Sequence, residues 1–585
     1  MFWISPKPGF IELKNSIIHT FIACGTGEAI EIPHDDLLIL AFQKDGINES
    51  CFFKENNNWI FGTGTFVYDL QFGNAALEAI LNNYIKNNFD DSSLTGNFAL
   101  IICVDGKLIV LSDPIGLSAI YLNQQQKIIS SSLLAVVRHA KTKYAINKMA
   151  AIELLTTGTI SGKETVFQNI EKYSTEETVS FNNVTIIKTA PAFEKPLPYK
   201  KGITKAIDDV VEMLDEVFKN YAGLVNNYGA DTSLTGGLDS RLVLAFALRN
   251  WNKDAINCYT NSRIKKDGTK IIDEKLASLV AGAVDVPLKF GWMRHPADLQ
   301  EEELMDILTD SYNLSHGQCG MHVQFFEEYN TKKFKTNLLA QHKVNVSGIG
   351  GEMLRNYEGL TRKYFPKHDY FKYRHILLVS GDCFKDNATL NALTDHVVAK
   401  FDAKLNLHSS TLSMLDIKRN YIYFTVPNRL AFRNVSENQF CWFISPLADQ
   451  RLIERAEEVQ NYLGYAQEFE TAIIKRVNPK LAGIMLDYGF TPNAGVPLKN
   501  KLKNIVRDTI PMQLFYNNYI KPLSKKPYSF AESMKKFTII TKALETVESL
   551  QLPLDIAAVC RKPDLFPIAV NLGFLLLKEK EHISL

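Results

Sequence analysis

The sequence predicts an α/β protein in which a β-rich first part precedes a doubly wound parallel sheet, and three patterns support this prediction. In residues 1–190, short apolar runs such as 98–103 and 108–111 end at turn residues, which is typical of strands. After residue 230, strand patterns alternate with helical ones, which is typical of a parallel sheet covered by helices. From about residue 370 onward, the pattern indicates mainly helices and connecting loops.

The alternating part is the most regular stretch of the sequence. Its predicted elements are strands at 230–234, 255–260, 286–290 and 343–346, and helices at 238–250, 269–284 and 300–311. Sheets of this kind bind ligands at the carboxyl ends of their strands. The loops that follow these strands are therefore the first candidates for a site.

A linker is predicted between the two parts. Residues 188–201, KTAPAFEKPLPYKK, contain three prolines and four lysines and have neither helical nor strand periodicity. The predicted domains are therefore 1–190 and 202–585, joined by a linker at 191–201.

Composition and charge exclude several classes of protein. The 585 residues are 46% hydrophobic and 22% charged, which excludes general disorder. Sixty-five basic against 64 acidic residues give a net charge of +1, so no global field favours nucleic acid or anionic lipid. The longest apolar stretch, 565–577, is interrupted by Pro567, Asn571 and Gly573 and is shorter than the roughly 20 residues that span a bilayer. We expect it to be buried core and expect no membrane partner.

The amino terminus and the cysteines indicate the compartment. The start, MFWISPKPGF, lacks the basic segment and apolar run of a secretory signal, so we expect a cytoplasmic protein. The eight cysteines lie far apart with no C-x-x-C pair, which argues against a disulfide framework and against zinc.

The loop TGGLDSR, at 235–241, lies where the first parallel strand gives way to a helix. Such a position binds anions, because Gly236 and Gly237 let backbone N–H groups approach phosphate oxygens and the helix N-terminus adds about half a positive charge. Thr235 and Ser240 add hydroxyl donors. Asp239 would repel phosphates unless it binds Mg²⁺. The alternative is a glycine turn that only caps a core helix, with Asp239 favoured by the helix dipole.

This loop resembles the pyrophosphate-binding S-G-G-x-D-S loop of the asparagine synthetase family, whose members adenylate a carboxylate and pass it to a nitrogen nucleophile. About 110 residues on, SGIGGEML at 347–354 resembles the family's second loop, S-G-x-G-A-D-E-L, and SPLADQRL at 445–452 resembles its S-P-F-L-D-x-R-L segment. Residues 94–99, 112–116 and 130–132 resemble the amidotransferase-like N-terminal domain, so the resemblance covers roughly residues 60–500.

The resemblance implies a particular pair of domains. The first would be an Ntn-type, β-rich sandwich of the glutamine amidotransferase kind. The second would be a doubly wound ATP-pyrophosphatase domain, similar to the adenine nucleotide alpha hydrolases, with a helical C-terminal part. It also implies ATP and Mg²⁺ as cofactors.

The first part departs from the glutamine-using members of the family. Those begin with a cysteine exposed by removal of Met1, because a thiolate must attack the glutamine amide, whereas residue 2 here is Phe. Cys24 lies in an apolar run, and FGTGT at 61–65 replaces the glutamine-binding N-G-E segment. We therefore expect a scaffold without glutaminase activity, as in β-lactam synthetases and lasso-peptide cyclases.

The second part departs as well. Ile349 stands where asparagine synthetases have an acidic residue and β-lactam synthetases a tyrosine, and it cannot accept a proton. Glu352 replaces the second metal-binding aspartate and still permits octahedral Mg²⁺. Trp442 replaces an acidic residue and Asp487 a lysine, so phosphate neutralisation needs another cation. The candidates are Arg241, Lys475 and Arg476.

Two further features lie near the predicted strand ends. Asp273 and Glu274 open a predicted helix and match an acidic pair of the family, but we favour a structural role as partners of the helix dipole. Tyr259 and Thr260 end the second parallel strand, where backbone groups of such folds meet adenine.

The leading hypothesis is an ATP-dependent amide-forming ligase. It would adenylate a small-molecule or peptide carboxylate and transfer it to an amine or ammonia. The predicted catalytic residues are Asp239, Glu352 and Arg241, of which the two acids also bind Mg²⁺. The residues predicted to bind ATP are Ser233, Leu234, Thr235, Gly236, Gly237, Ser240, Tyr259, Ser347, Gly348 and Gly350. The alternatives are a non-catalytic binding homologue and an adenylating RNA-modification enzyme, although neither a basic face nor paired cysteines favour the latter.

Overall fold

The structure is a computed structural model, which describes residues 1–181, 184–189, 193, 196–263, 272–339, 342–356, 359–523 and 526–584. It is a mixed α/β protein with a parallel sheet and a helical C-terminal part, as the sequence predicts. The strands are β1 (Phe2–Pro6), β2 (Ala29–Ile32), β3 (Leu37–Phe42), β4 (Phe52–Glu55), β5 (Asn58–Tyr68), β6 (Leu94–Val104), β7 (Lys107–Ser112), β8 (Tyr121–Asn123), β9 (Ile128–Ser130), β10 (Tyr144–Ala145), β11 (Glu171–Lys172), β12 (Val179–Phe181), β13 (Val184–Ile186), β14 (Ala230–Ser233), β15 (Ile256–Arg263), β16 (Leu288–Met293), β17 (Val344–Val346), β18 (Tyr364–Pro366), β19 (Thr411–Ser413), β20 (Trp442–Ile444) and β21 (Ile583–Ser584).

The helices alternate with these strands in the middle of the chain and dominate its last third. They are α1 (Lys14–Ala23), α2 (Gly73–Ile85), α3 (Leu133–Arg138), α4 (Lys148–Thr157), α5 (Ile203–Asn220), α6 (Ala222–Tyr228), α7 (Leu238–Asn250), α8 (Ile272–Val284), α9 (Glu301–Leu314), α10 (Lys332–Leu338), α11 (Lys367–Asp369), α12 (Leu377–Ser380), α13 (Asn387–Leu405), α14 (Met414–Asn420), α15 (Val426–Arg429), α16 (Ala431–Glu437), α17 (Gln450–Glu458), α18 (Glu468–Val477), α19 (Pro479–Ala482), α20 (Leu498–Thr509), α21 (Met512–Phe515), α22 (Lys521–Leu523), α23 (Ser529–Met534), α24 (Thr538–Ser549), α25 (Ile556–Cys560) and α26 (Phe566–Lys578).

Two six-stranded sheets pack face to face in the first part. Their strand orders are β11-β8-β9-β1-β3-β2 and β12-β13-β7-β6-β5-β4, and most of the pairs are antiparallel. Because side chains alternate along a strand, Phe2 and Ile39 of one sheet meet Phe61 and Ile101 of the other in a shared core. The opposite faces pack against α1 and α2, so the layers run helix, sheet, sheet, helix.

A five-stranded parallel sheet forms the centre of the second part. Its order is β16-β15-β14-β17-β20, and every neighbouring pair is parallel. The order reverses at β14, since the chain adds β15 on one side and β17 on the other. Ligands of open α/β sheets bind at the carboxyl ends of the strands beside such a reversal. The loop at 235–241 lies at this point.

Several element boundaries differ from the predicted ones. The strand predicted at 286–290 is observed as β16, because Pro287 lacks an N–H for the ladder and pairing starts after it. Strand β15 runs to Arg263 rather than to residue 260. Strand β20 is absent from the predicted elements, since its three apolar residues are too short to carry a periodic signal. The predicted start of α8, at 269–271, lies outside the described residues.

The apolar stretch 565–577 forms most of α26, which is buried from Phe566 to Leu576. Two of the three residues that interrupt it, Asn571 and Gly573, have packing roles. The Asn571 amide bonds to the backbone of Val323 and Phe325, and a Cβ on Gly573 would lie 2.0 Å from the Ala543 carbonyl of α24. None of the helices within the described residues has both the length and the apolar character that a membrane crossing requires.

The two parts of the chain share a core. One buried cluster includes Trp3 and Leu134 from the first part and Leu242 and Phe574 from the second. Strands β10 and β21 also pair in parallel and tie the end of the chain to the first part. The predicted linker at 191–201 lies partly outside the described residues, and the domain division stays a prediction.

Two buried histidines predict that stability depends on pH. Desolvation lowers the pKa of His139 to about 4 and that of His316 to about 3, against about 6.5 in an unfolded chain. Between these values the unfolded state binds more protons than the folded state. We therefore expect the unfolding free energy to fall as the pH drops below 6.5, by at most about 3 kcal/mol per pH unit.

Urea unfolding at pH 7, 6 and 5 measures this effect before most carboxylates titrate. His139 Nε2 lies 2.9 Å from Thr20 Oγ1. His139→Gln keeps a polar partner for this hydroxyl but cannot titrate, so it should reduce the dependence of the unfolding free energy on pH. A midpoint that does not change between pH 7 and pH 5 would contradict the expectation.

Candidate active site

The first loop is held in shape by its own hydroxyls. The Thr235 N–H donates to Ser240 Oγ (3.1 Å), and the Gly237 N–H donates to Thr235 Oγ1 (3.2 Å). Gly237 then precedes the first turn of α7. Thr235 and Ser240, predicted as phosphate donors, therefore shape the loop in this structure.

Asp273 contacts the loop from α8. Its Oδ1 accepts the Gly236 N–H at 3.0 Å, an amide that the sequence assigns to phosphate. A Cβ on Gly236 would lie 2.6 Å from Leu276 Cδ1, so the close approach of α8 requires glycine there. Our structural interpretation of Asp273 missed this contact, because the order of residues along α8 does not reveal what its first turn faces.

The second loop, 347–354, follows β17 and packs directly on the first. A Cβ on Gly348 would lie 3.0 Å from Asp239 Cβ, and one on Gly351 would lie 2.2 Å from Asp239 Oδ1. Gly350 has φ +98°, and its Cβ would lie 2.4 Å from the Leu447 carbonyl. The absent side chains at Gly348 and Gly351 provide the space that Asp239 occupies, and that at Gly350 admits the Leu447 backbone.

Within the second loop, the predicted site residue Ser347 has mainly local contacts. Ser347 Oγ accepts the Ile349 N–H at 3.3 Å, and Ile349 is buried. Arg433 Nη1 reaches the same hydroxyl at 3.5 Å. Ser347 thus orders the start of the loop.

Three carboxylates meet where the two loops join. Asp239 and Glu352 come from the loops, and Glu470 comes from α18. Arg355 connects two of them, since its Nη2 lies 3.2 Å from Asp239 Oδ2 and its Nη1 lies 3.2 Å from Glu470 Oε2. Burial, followed by the nearby charge of Asp239, raises the pKa of both Glu352 and Glu470. Tyr421 donates a hydrogen bond to Glu352.

Each of these carboxylates has one buried oxygen without a hydrogen-bond partner. These atoms are Asp239 Oδ1, Glu352 Oε2 and Glu470 Oε1. Buried polar atoms are normally paired, and hard divalent cations prefer carboxylate oxygens, so these atoms have the donor chemistry that Mg²⁺ requires, but the ligand oxygens of the three residues do not all lie within 4.8 Å of one another in this structure. Sequence reasoning missed Glu470 and Arg355. The signal available in the sequence was a glutamate within the apolar helical pattern of Phe469, Ile473 and Ile474, since an acid at such a position is rarely buried without a partner.

Arg241 does not have the role predicted for it. Its guanidinium is fully buried and donates to the carbonyls of Leu481 (3.2 Å), Ile484 (2.7 Å) and Met485 (2.9 Å). Proximity to a helix N-terminus did not determine its direction, because α7 turns this side chain into the core. We correct its assignment from phosphate ligand to a residue that fastens α7 to the 481–485 segment.

That segment leads to Asp487, which contacts the first loop. The Asp487 N–H donates to the Gly236 carbonyl at 3.1 Å. Burial and the nearby Asp273 raise the pKa of Asp487. The other predicted cations do not offset the negative charge of Asp273 and Asp487. Lys475 is exposed, and Arg476 pairs with Asp208. Acidic groups therefore dominate the surroundings of the loop.

The residues predicted to meet adenine lie within the sheet. Strand β15 continues past Tyr259, whose carbonyl accepts the Leu234 N–H at 2.8 Å and whose hydroxyl donates to Asn345 Oδ1 at 3.1 Å. Ser233 and Tyr259 line a cavity of about 260 Å³ together with Arg433. The prediction that Tyr259 ends its strand is wrong, because ladder pairing with β16 extends to Arg263.

The start of the chain is buried. Phe2 is fully enclosed in β1, and the Met1 amine donates to Thr63 Oγ1 at 2.9 Å. Burial lowers the pKa of that amine to about 5 and raises the pKa of the Cys24 thiol to about 12. A thiol in such surroundings is a poor nucleophile.

Comparisons with known proteins add little. No family model and no curated protein matches the chain. Among solved structures, it is similar to a glutamine-dependent NAD⁺ synthetase from Acinetobacter baumannii in complex with ADP, at 12% identity and a TM-score of 0.16. The match covers 40% of this chain and 48% of that one, so it spans about half the length of the neighbour. A TM-score this low contributes nothing to the assignment of function.

Gly351→Ala is expected to weaken divalent-cation binding. The new Cβ would force the Asp239 carboxylate to move, and displaced ligand geometry costs roughly tenfold or more in metal affinity. Calorimetric titration with Mg²⁺ measures this. Gly282→Ala is the control, since that helical glycine has nothing within 4 Å of its added Cβ. Equal Mg²⁺ affinity in both variants would contradict the placement of the cation at Asp239.

Proposed function

We propose that the protein is an ATP-dependent ligase that activates a substrate carboxylate by adenylation and transfers it to an amine or ammonia. In the activation step, a carboxylate oxygen attacks the α-phosphorus of ATP and pyrophosphate leaves. In the second step, an amine nitrogen attacks the acyl carbon and AMP leaves. The proposal includes no glutaminase step.

The observation that carries this proposal is the set of three carboxylates, each with one buried and unpaired oxygen, beside a glycine loop at a strand-to-helix junction. Asp239, Glu352 and Glu470 would hold Mg²⁺, which would neutralise phosphate charge when bound. Among the described residues, no lysine forms an ion pair or a hydrogen bond with the loop, and the cation that pairs with Asp239 is Arg355.

The chain's own groups would position and orient the reactants. The N–H groups of Gly236 and Gly237 would hold phosphate oxygens, with Asp273 giving up the first of them as nucleotide binds. Arg355 holds Asp239 and Glu470 in place, and Tyr421 orients Glu352. Catalysis of this kind depends on placing charge before the reaction begins.

An ATP–pyrophosphate exchange screen tests the proposal. Amino acids, uronic acids and short peptides would be offered with ATP and Mg²⁺. We expect exchange with one class of acid, abolished when EDTA removes the metal. Exchange with none of these acids, combined with no Mg-ATP binding in calorimetry, would overturn the proposal.

A second candidate is a binding protein that has kept the fold without the reaction. Acidic Asp273 and Asp487 contact the loop where phosphate would lie, which favours this alternative. Mg-ATP binding without exchange for any acid would support it.

A further inference from the structure

A second cavity, of about 420 Å³, lies between three helical segments of the C-terminal part. The segments Tyr370–Ile376, Tyr421–Thr425 and Tyr516–Ile520 are all π-helical. π-helical turns are rare and occur frequently at functional sites. The volume also falls within the range of small-molecule sites, about 300–1,000 Å³. Both observations indicate a binding cavity.

The wall of the cavity is mainly aromatic and aliphatic, and none of its lining residues is acidic. Its apolar side chains include Tyr370, Tyr373, Leu378, Val379, Ile417 and Phe515. A wall of this kind suits a ligand with an apolar or aromatic body.

The cavity also has a cation without an ion-pair partner. Arg374 and Arg507 both pair with Asp508. Arg429, by contrast, has no carboxylate partner within the described part of the chain. Its Nη2 reaches only the Thr157 carbonyl, at 3.4 Å, and its buried Nε has no hydrogen-bond partner.

His375 adds a second unsatisfied atom to the same wall, since its buried Nε2 also lacks a partner. Leaving buried polar groups unpaired is costly. An anionic group beside Arg429 would give the Arg429 Nε–H a hydrogen-bond acceptor. Arg429 Nε and His375 Nε2 together make this part of the cavity suited to an acid.

Another part of the cavity wall adjoins the carboxylate cluster. Tyr421 lines the cavity and donates to Glu352. Tyr421 and Arg429 lie on one continuous helical stretch, eight residues and therefore roughly 12 Å apart at the helical rise. A ligand that reaches both residues would be an elongated molecule.

We propose that this cavity binds the substrate acid, and that this substrate has an apolar or aromatic body with an acidic group at each end. One acid lies at the Tyr421 end, beside the carboxylate cluster, and the other lies on Arg429. The adenylation of the first acid rests on the proposed ligase function. Binding itself needs no nucleotide.

Calorimetry without nucleotide tests the inference with a matched pair of probes, 1,4-phenylenedipropionate and its uncharged diamide. We expect the diacid to bind wild-type protein about ten- to a hundredfold more tightly than the diamide, the usual effect of a charged hydrogen bond. Arg429→Met should remove this preference and leave diamide binding unchanged. Arg429→Lys should restore part of the preference, and Arg476→Met, an exposed control on α18, should have no effect.

The outcomes separate the two proposals. If the diacid does not bind, or if Arg429→Met keeps the preference, the cavity assignment is overturned, whatever the exchange screen gives. If Arg429 controls diacid binding but no acid supports exchange, the cavity assignment stands and the ligase function fails.

Discussion

Asp239→Asn is expected to abolish pyrophosphate release while the protein folds with wild-type or higher stability. The change removes the negative charge that the cluster offers to a cation, and we expect turnover to fall about a hundredfold or more. It also relieves repulsion, because Asp239 raises the pKa of both Glu352 and Glu470. Pyrophosphate release and thermal unfolding, measured on the same preparation, test both parts.

Asp487→Asn is the matched control for this experiment. It also changes an aspartate to an asparagine beside the first loop. Asp487, however, is not one of the three carboxylates that each have an unpaired buried oxygen. We expect turnover to be kept and nucleotide affinity to rise, since a negative charge near the phosphates is lost. Normal turnover in Asp239→Asn, or equal loss in both variants, would refute the role assigned to Asp239.

Arg355→Met is expected to lower the unfolding free energy by about 3–5 kcal/mol. The guanidinium bridges Asp239 and the fully buried Glu470, and its removal leaves two carboxylates without their cation. Urea unfolding measures the loss. Added Mg²⁺ should restore part of it, because the metal would supply the missing positive charge.

Glu470→Gln in the Arg355→Met background distinguishes charge from packing. If the cost is an uncompensated buried charge, this second change should recover stability. A double variant no more stable than Arg355→Met would mean that Arg355 acts by packing instead.

Local sequence patterns predict the elements that depend on neighbouring residues. The β14–loop–α7 unit is visible because a short strand, two glycines and an apolar helix follow one another without interruption. The second loop is visible for the same reason, since its glycines precede Glu352 directly. In contrast, β20 has three residues and no pattern of its own, so only its pairing with β17 defines it.

Contacts between residues that are distant in sequence cannot be predicted from local patterns. Arg355 meets Asp239 and Glu470 across 116 and 115 residues of chain, and no local pattern relates such positions. The direction of a side chain is equally hidden, as Arg241 illustrates by pointing to the 481–485 carbonyls rather than to the loop.

The alternation of β14, β15, β16 and β17 with helices and the position of the two glycine loops follow from the sequence alone, because short-range sterics and periodicity control both. Which charges share a site follows only from the packing of distant segments. Packing of α8 and α18 against the loops brought Asp273 and Glu470 to them, and electrostatic interactions depend on distance in space rather than along the chain.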